Sequence, residues 1–152
     1  MKTKVFASTL CAVALLTAVP NLAFAAGAKE IIATKDAPAA IGPYSQAVRS
    51  GGMLFVAGQI PIDPKTGQLK TGTDEEQVAQ VLENIKAILA ADGMTMDNVV
   101  STTVFVRDLN NFAKLNAVYG TYFKDKPPAR ATVQAARLPR DVAVEISAIA
   151  VK

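Results

Sequence analysis

At 152 residues the chain has the length of one domain. Its 16 Lys and Arg side chains against 13 Asp and Glu give a net charge of only +3, which calls for neither nucleic acid nor an anionic membrane surface. There is no His, and the one Cys, Cys11, lies in the first apolar run, so the rest of the chain lacks the usual zinc ligands, an imidazole base, a thiol nucleophile and any disulfide.

The chain opens with Lys2 and Lys4, an apolar run from Val5 to Val19, then Pro20 and Ala23-Phe24-Ala25. This pattern predicts a secretory signal peptide over residues 1–25, cleaved before Ala26. The run is too short, and too diluted by Ser8, Thr9 and Thr17, for a span of roughly 30 Å of hydrocarbon. Residues 26–152 would then form the domain, in the periplasm or outside the cell and free of the membrane. Without Lys2 and Lys4 that part carries 14 basic and 13 acidic side chains.

A first strand is expected at Ile31–Thr34, followed by a loop over Asp36–Pro43. Ser45–Arg49 and Met53–Ala57 read as a hairpin around Ser50-Gly51-Gly52. Pro61–Thr73 carries the Pro, Asp and Gly of a surface loop. Thr73 or Asp74 can cap a helix, with Glu75 and Glu76 set against its dipole. Val78, Val81, Leu82, Ile85, Ile88 and Leu89 make its apolar stripe, and Gly93 stops it.

Asn98–Val106 alternates β-branched residues, as a strand does. Asp108 can cap a second helix, with Phe112, Leu115, Tyr119 and Tyr122 on one face and Pro127-Pro128 at its end. Ala131–Ala135 and Val142–Val151 read as the last strands, turning near Pro139. The order predicts an α/β (α+β) fold: a single mixed six-stranded sheet with both helices on one face. The final strand is apolar on both sides, so the uncovered face calls for self-association.

Six residues stand out as candidates for chemistry. Arg130 follows the stiff Pro127-Pro128 stem, where its fork suits a carboxylate, although a surface ion pair explains it too. Glu145 interrupts the apolar last strand; burial would raise its pKa and fit it for proton transfer, whereas an edge position would leave it in solvent. Thr132 lies two residues beyond Arg130, on the same face of the strand. Asn116 breaks the apolar stripe of the second helix, and a local hydrogen bond explains it equally well. Gly42-Pro43-Tyr44 presents a phenol on a rigid turn. Gly58 either lets a substrate approach the backbone closely or merely ends a strand.

Taken together these residues sit in a string that resembles RidA-type reactive-intermediate deaminases. The matching segments are Gly42-Pro43-Tyr44-Ser45-Gln46-Ala47, Gly58-Gln59-Ile60-Pro61, Asp108-Leu109-Asn110-Asn111-Phe112, Asn116, Pro128-Ala129-Arg130-Ala131-Thr132-Val133, Ala136-Arg137-Leu138-Pro139 and Val144-Glu145-Ile146. They keep the family's order across residues 30–152.

The resemblance implies a homotrimer of chorismate-mutase-like, barrel-like build, with sheets inside, helices outside and active sites between subunits. It implies that Arg130 binds the substrate carboxylate, that Glu145 and Thr132 hold the attacking water as catalytic residues, and that Tyr44, Gly58 and Asn116 line the pocket. Ala57 and Ser147 depart from the family pattern, which often has Ser and Glu there.

The implied reaction is hydrolysis of 2-iminopropanoate or 2-iminobutanoate to a 2-keto acid and ammonia. No metal or cofactor is required, because a protonated imine is already a strong electrophile. A non-catalytic trimer that holds small carboxylates, or acts like a chaperone, is the alternative. A ribonuclease is a third reading, which the lack of His and of a clear basic patch disfavours.

Overall fold

In the computed structural model, which describes residues 28–152, the expected hairpin joins β2 (Ala47–Ser50) to β3 (Met53–Gln59) in antiparallel register. β1 (Glu30–Ile32) adds to its free edge, and Arg49 ties the corner together by pairing with Glu30 and with the buried Asp92 at 2.5 Å. The expected signal peptide lies outside the described residues. Among the described residues no helix is long and apolar enough to cross a membrane.

The first helix, α1 (Asp74–Ala91), begins where the sequence places it. Thr73 accepts a hydrogen bond from the Glu76 N–H at 3.2 Å, and Glu76 accepts one from the Thr73 N–H at 2.9 Å, which satisfies two otherwise orphaned donors. All six residues of the expected stripe are buried. Removing a side chain such as Leu82 or Leu89 from water contributes about 1.5–3 kcal/mol. The chain leaves the helix through Gly93, at φ 67°, a conformation that glycine adopts without a Cβ clash.

β4 (Val99–Val106) leads through a short 3₁₀ turn at Leu109–Asn111 into α2 (Phe112–Tyr122). Here the structure corrects the sequence. Asp108 accepts from the Asn110 N–H and so caps the 3₁₀ turn, not α2. α2 also stops well before Pro127. Phe123 leaves helical dihedrals and buries its ring 4.6 Å from that of Tyr119, so core packing ends the helix before the prolines act.

β5 (Ala129–Gln134) and β6 (Val144–Val151) complete a six-stranded mixed sheet in the order β1-β2-β3-β6-β4-β5. β4 and β5 run parallel, and β6 is antiparallel to both β3 and β4. β6 starts two residues later than expected. The Ala143 N–H is diverted to the side chain of Gln77 at 2.9 Å, away from the strand ladder. The turn before it holds Arg140 and Asp141 at positive φ, with Arg137 gripping Asp141 through two hydrogen bonds of 2.7 and 2.9 Å.

Both helices pack on one face of the sheet, against Leu54, Val56, Val104, Val106, Val144, Ile146, Ala148 and Ala150. Among the described residues the other face carries no helix. Met53, Phe55, Val133 and Val151 are exposed there, the two last at 47% and 36%. A smaller apolar cluster of Ile60, Ile62, Leu138 and Val142 covers one end of that face.

Candidate functional site

Strand register decides which candidate residues can meet. Thr102, Val104 and Val106 of β4 are buried beneath the helices. Their partners across the parallel ladder are Arg130, Thr132 and Gln134, and those across β6 are Ala148, Ile146 and Val144. Residues paired across a ladder point to the same face. Arg130 and Thr132 therefore rise on the helical face. Phe105, one step along β4, pairs with Val133 and Glu145, so Glu145 points to the open face.

On the helical face, Arg130 and Thr132 meet α2. Asn116, Phe112, Leu115 and Tyr119 share a hollow with them. An open cleft of about 420 Å³ lies over Leu109, Phe112, Arg130 and Thr132. A second of about 380 Å³ reaches Asn116, Pro127, Pro128 and Arg130. The guanidinium carbon lies 4.6 Å from the centre of the Tyr119 ring and 5.4 Å from that of Phe112.

Tyr119 is itself fixed by a 2.8 Å hydrogen bond between its hydroxyl and that of Thr102. Burial raises its pKa, an effect that the Thr102 bond and the Arg130 charge partly offset. Arg130 has no carboxylate within ion-pair distance among the described residues. The surface ion pair left open by the sequence is therefore not formed among the described residues. The Thr132 hydroxyl is buried and has no hydrogen-bond partner there. An exposed cation with free donors beside an unsatisfied hydroxyl is an arrangement prepared for an anionic, hydrogen-bonding guest.

On the open face, Tyr44, Gly58 and Glu145 line a separate cleft of about 290 Å³ with Ile41, Ala57, Ile60 and Pro139. Glu145 is half-buried, and that desolvation pushes its carboxyl above the ordinary range. Gly58 lies where the β3–β6 register shifts, between Val56 and Gln59. A methyl group built on Gly58 would collide with the Glu145 carboxylate, so the space beside this glycine is taken by Glu145 of the same chain.

The Tyr44 hydroxyl accepts from the Ile41 N–H at 3.3 Å. The loop that carries Ile41 is held by Gln46, whose side chain bonds the backbone of Thr34, Ala37 and Pro38. Ala57 lines this cleft, and Ser147 pairs with Thr103 on the same face as Glu145, so both departures from the family pattern fall on the Glu145 side.

The six candidates thus form two groups. Arg130, Thr132 and Asn116 come together, and so do Tyr44, Gly58 and Glu145, but the sheet separates the groups within one chain. Two neighbours of Arg130 went unassigned in the sequence as parts of a site: Phe112 and Tyr119. Their signal was present as two aromatics seven apart, with Asn116 between them, on the stripe of α2.

The strand order and the paired helices define the α+β class of L-PSP-type folds. The chain belongs to the RidA-type family: the family model described as endoribonuclease L-PSP matches residues 34–152. A RutC family protein of Pyrococcus horikoshii is 56% identical over 124 residues, covering 82% of this chain and 98% of that protein. A 2-iminobutanoate/2-iminopropanoate deaminase of Salmonella typhimurium is 52% identical over 124 residues, covering 80% of this chain and 96% of its own length. The crystal structure of Escherichia coli TdcF with bound serine superposes with a TM-score of 0.78 at 47% identity, covering 81% of this chain and 98% of that one.

The comparisons also require a correction. These relatives are matched over nearly their whole length by about four-fifths of this chain, and the family model begins at residue 34. They offer no counterpart to residues 1–25, so the comparisons lend no support to the signal peptide and periplasmic location expected from the sequence.

Proposed function

We propose that this protein hydrolyses small 2-imino acids, such as 2-iminopropanoate and 2-iminobutanoate, to 2-keto acids and ammonia. The observation that carries this reading is Arg130, stacked on aromatic rings, free of protein carboxylates and adjacent to the unpartnered Thr132 hydroxyl. Its planar fork can take a carboxylate by two parallel hydrogen bonds. The deaminase name of the Salmonella relative supports the same substrate class. The serine bound to TdcF, an amino acid of similar size, supports the fit of a small carboxylate.

In this reading Arg130 fixes the carboxylate while Thr132 and Asn116 border the imine. Glu145 takes a proton from water as the water oxygen bonds to the imine carbon, and the C=N π pair moves to nitrogen. The neutral carbinolamine receives that proton back on nitrogen. The C–N bond then breaks, ammonia departs with the bonding pair, and the hydroxyl passes its proton to the Glu145 carboxylate as the keto group forms. Glu145 then releases it to the departing ammonia or solvent. Positioning by Arg130 and proton transfer by Glu145, worth about 10²–10⁴-fold, suit an electrophile as reactive as a protonated imine.

The reaction needs both groups of residues at one substrate, and one sheet keeps them apart. We therefore infer that a second copy brings its Glu145 group against Arg130, giving a homotrimer with active sites between subunits. The exposed apolar residues of the open face supply the means of association.

The test is 2-keto acid formation from freshly generated 2-iminopropanoate, with spontaneous hydrolysis subtracted. Wild type should exceed background, and Arg130→Ala should not, because losing a charged hydrogen-bond partner costs about 1.5–3 kcal/mol in binding alone. Arg130→Lys, which keeps charge but loses the fork, should be strongly impaired too. A wild type at background would leave a non-catalytic carboxylate-binding protein. RNA cleavage that survives purification would favour a ribonuclease instead.

A further inference from the structure

We propose that Tyr119, tethered by Thr102, is a positioning residue for Arg130, holding the guanidinium in plane while leaving its donors to the substrate carboxylate. This inference rests on the imine-hydrolase reading for its assay, and on geometry for its content.

An arginine that grips a carboxylate with two hydrogen bonds must be held at a fixed tilt. The common clamp, a protein carboxylate, would occupy the donors the substrate needs. An aromatic face attracts the guanidinium without taking an N–H. Arg130 has the second kind of support: its guanidinium carbon is 4.6 Å from the centre of the Tyr119 ring.

A phenylalanine would provide such a platform. The hydroxyl adds a fixed point. It bonds the Thr102 hydroxyl at 2.8 Å, and both residues are buried. Thr102 is the ladder partner of Arg130, so the anchor and the arginine rise side by side from neighbouring strands. Thr102, Tyr119 and Arg130 form a chain in which the strand fixes the ring and the ring fixes the guanidinium. Phe112, at 5.4 Å, is a second and more exposed aromatic contact.

The same hydrogen bond could serve stability alone, and the two roles separate in a paired substitution. Tyr119→Phe and Thr102→Val each strand one buried hydroxyl and should lower Tm. Together they remove both polar atoms and keep the shape, so Tm should return toward wild type. A purely structural bond would restore KM as well. A positioning tether would leave KM raised by roughly 2- to 10-fold in the stable double variant, with kcat less affected. Tyr119→Leu, which removes the platform, should raise KM by about 2- to 30-fold.

Pyruvate binding by calorimetry is measured beside the kinetics. The double variant should bind pyruvate more weakly in proportion to its KM. Wild-type KM and wild-type pyruvate affinity in the double variant, or in Tyr119→Leu, overturn the proposal. A wild type that binds pyruvate yet hydrolyses no imine overturns the hydrolase reading alone, and the binding series still decides the role of Tyr119. A wild type that does neither overturns both.

Discussion

Gly58 and Glu145 lie close enough that a single methyl group probes their contact. Because a Cβ at residue 58 would collide with the Glu145 carboxylate, Gly58→Ala should displace the proposed base. Turnover should fall about a hundredfold, as for a mispositioned acid–base group, while thermal stability changes far less. Glu145→Gln should lower kcat more than it raises KM, since it touches water and not the carboxylate. Steady-state kinetics beside thermal melts check both variants; unchanged kcat in Gly58→Ala would remove Glu145 from the reaction. The sequence singles out both residues, Glu145 as a carboxylate inside an apolar strand and Gly58 as a glycine at a strand end. It could not show that they touch, because the β3–β6 register shift is set by pairing between segments nearly ninety positions apart. Tyr119 escaped for a similar reason. Its spacing marks it as core, and only the parallel pairing of β4 with β5 brings Arg130 beneath its ring.

Elements governed by local signals were the legible ones. α1 carries its cap, its first-turn acids and its stripe within twenty consecutive residues, and the structure reproduces each. The hairpin is equally local. α2 is not: a tertiary contact of Phe123 sets its end, and a 3₁₀ turn takes the cap meant for it. The end of α2 also holds a pH-sensitive contact to α1. Tyr122 donates to Glu83 at 2.9 Å, and burial, with the hydrogen bond and charge of Glu83, pushes its phenol up to about 12. A pKa raised by folding means stability that is fully present below the unfolded phenol value, about 10, and is lost as pH rises through the folded value. The folded protein should therefore lose stability steeply above pH 10, and Tyr122→Phe should flatten that alkaline limb. Urea melts at stepped alkaline pH test this, and parallel slopes for the two proteins would refute it.

At the scale of the whole molecule, the open face of the sheet is the largest feature that the fold leaves unfinished. Phe55 pairs with Ile149 on that face and is 40% exposed. A carboxylate there would be stranded if the face is buried between copies. Phe55→Glu should therefore shift sedimentation equilibrium from trimer toward monomer and abolish activity, with far-UV circular dichroism retained; a wild-type monomer at micromolar concentration would contradict the assembly. The placement of Arg130 and Glu145 on opposite faces has a genetic corollary. Two impaired proteins, Arg130→Ala and Glu145→Gln, should complement each other when unfolded together and refolded as a mixture. Each mixed ring can juxtapose an intact arginine from one parent with an intact glutamate from the other. Equal mixing should restore about a quarter of the wild-type sites in a closed cyclic assembly. Neither parent refolded alone should rise above its own residual rate.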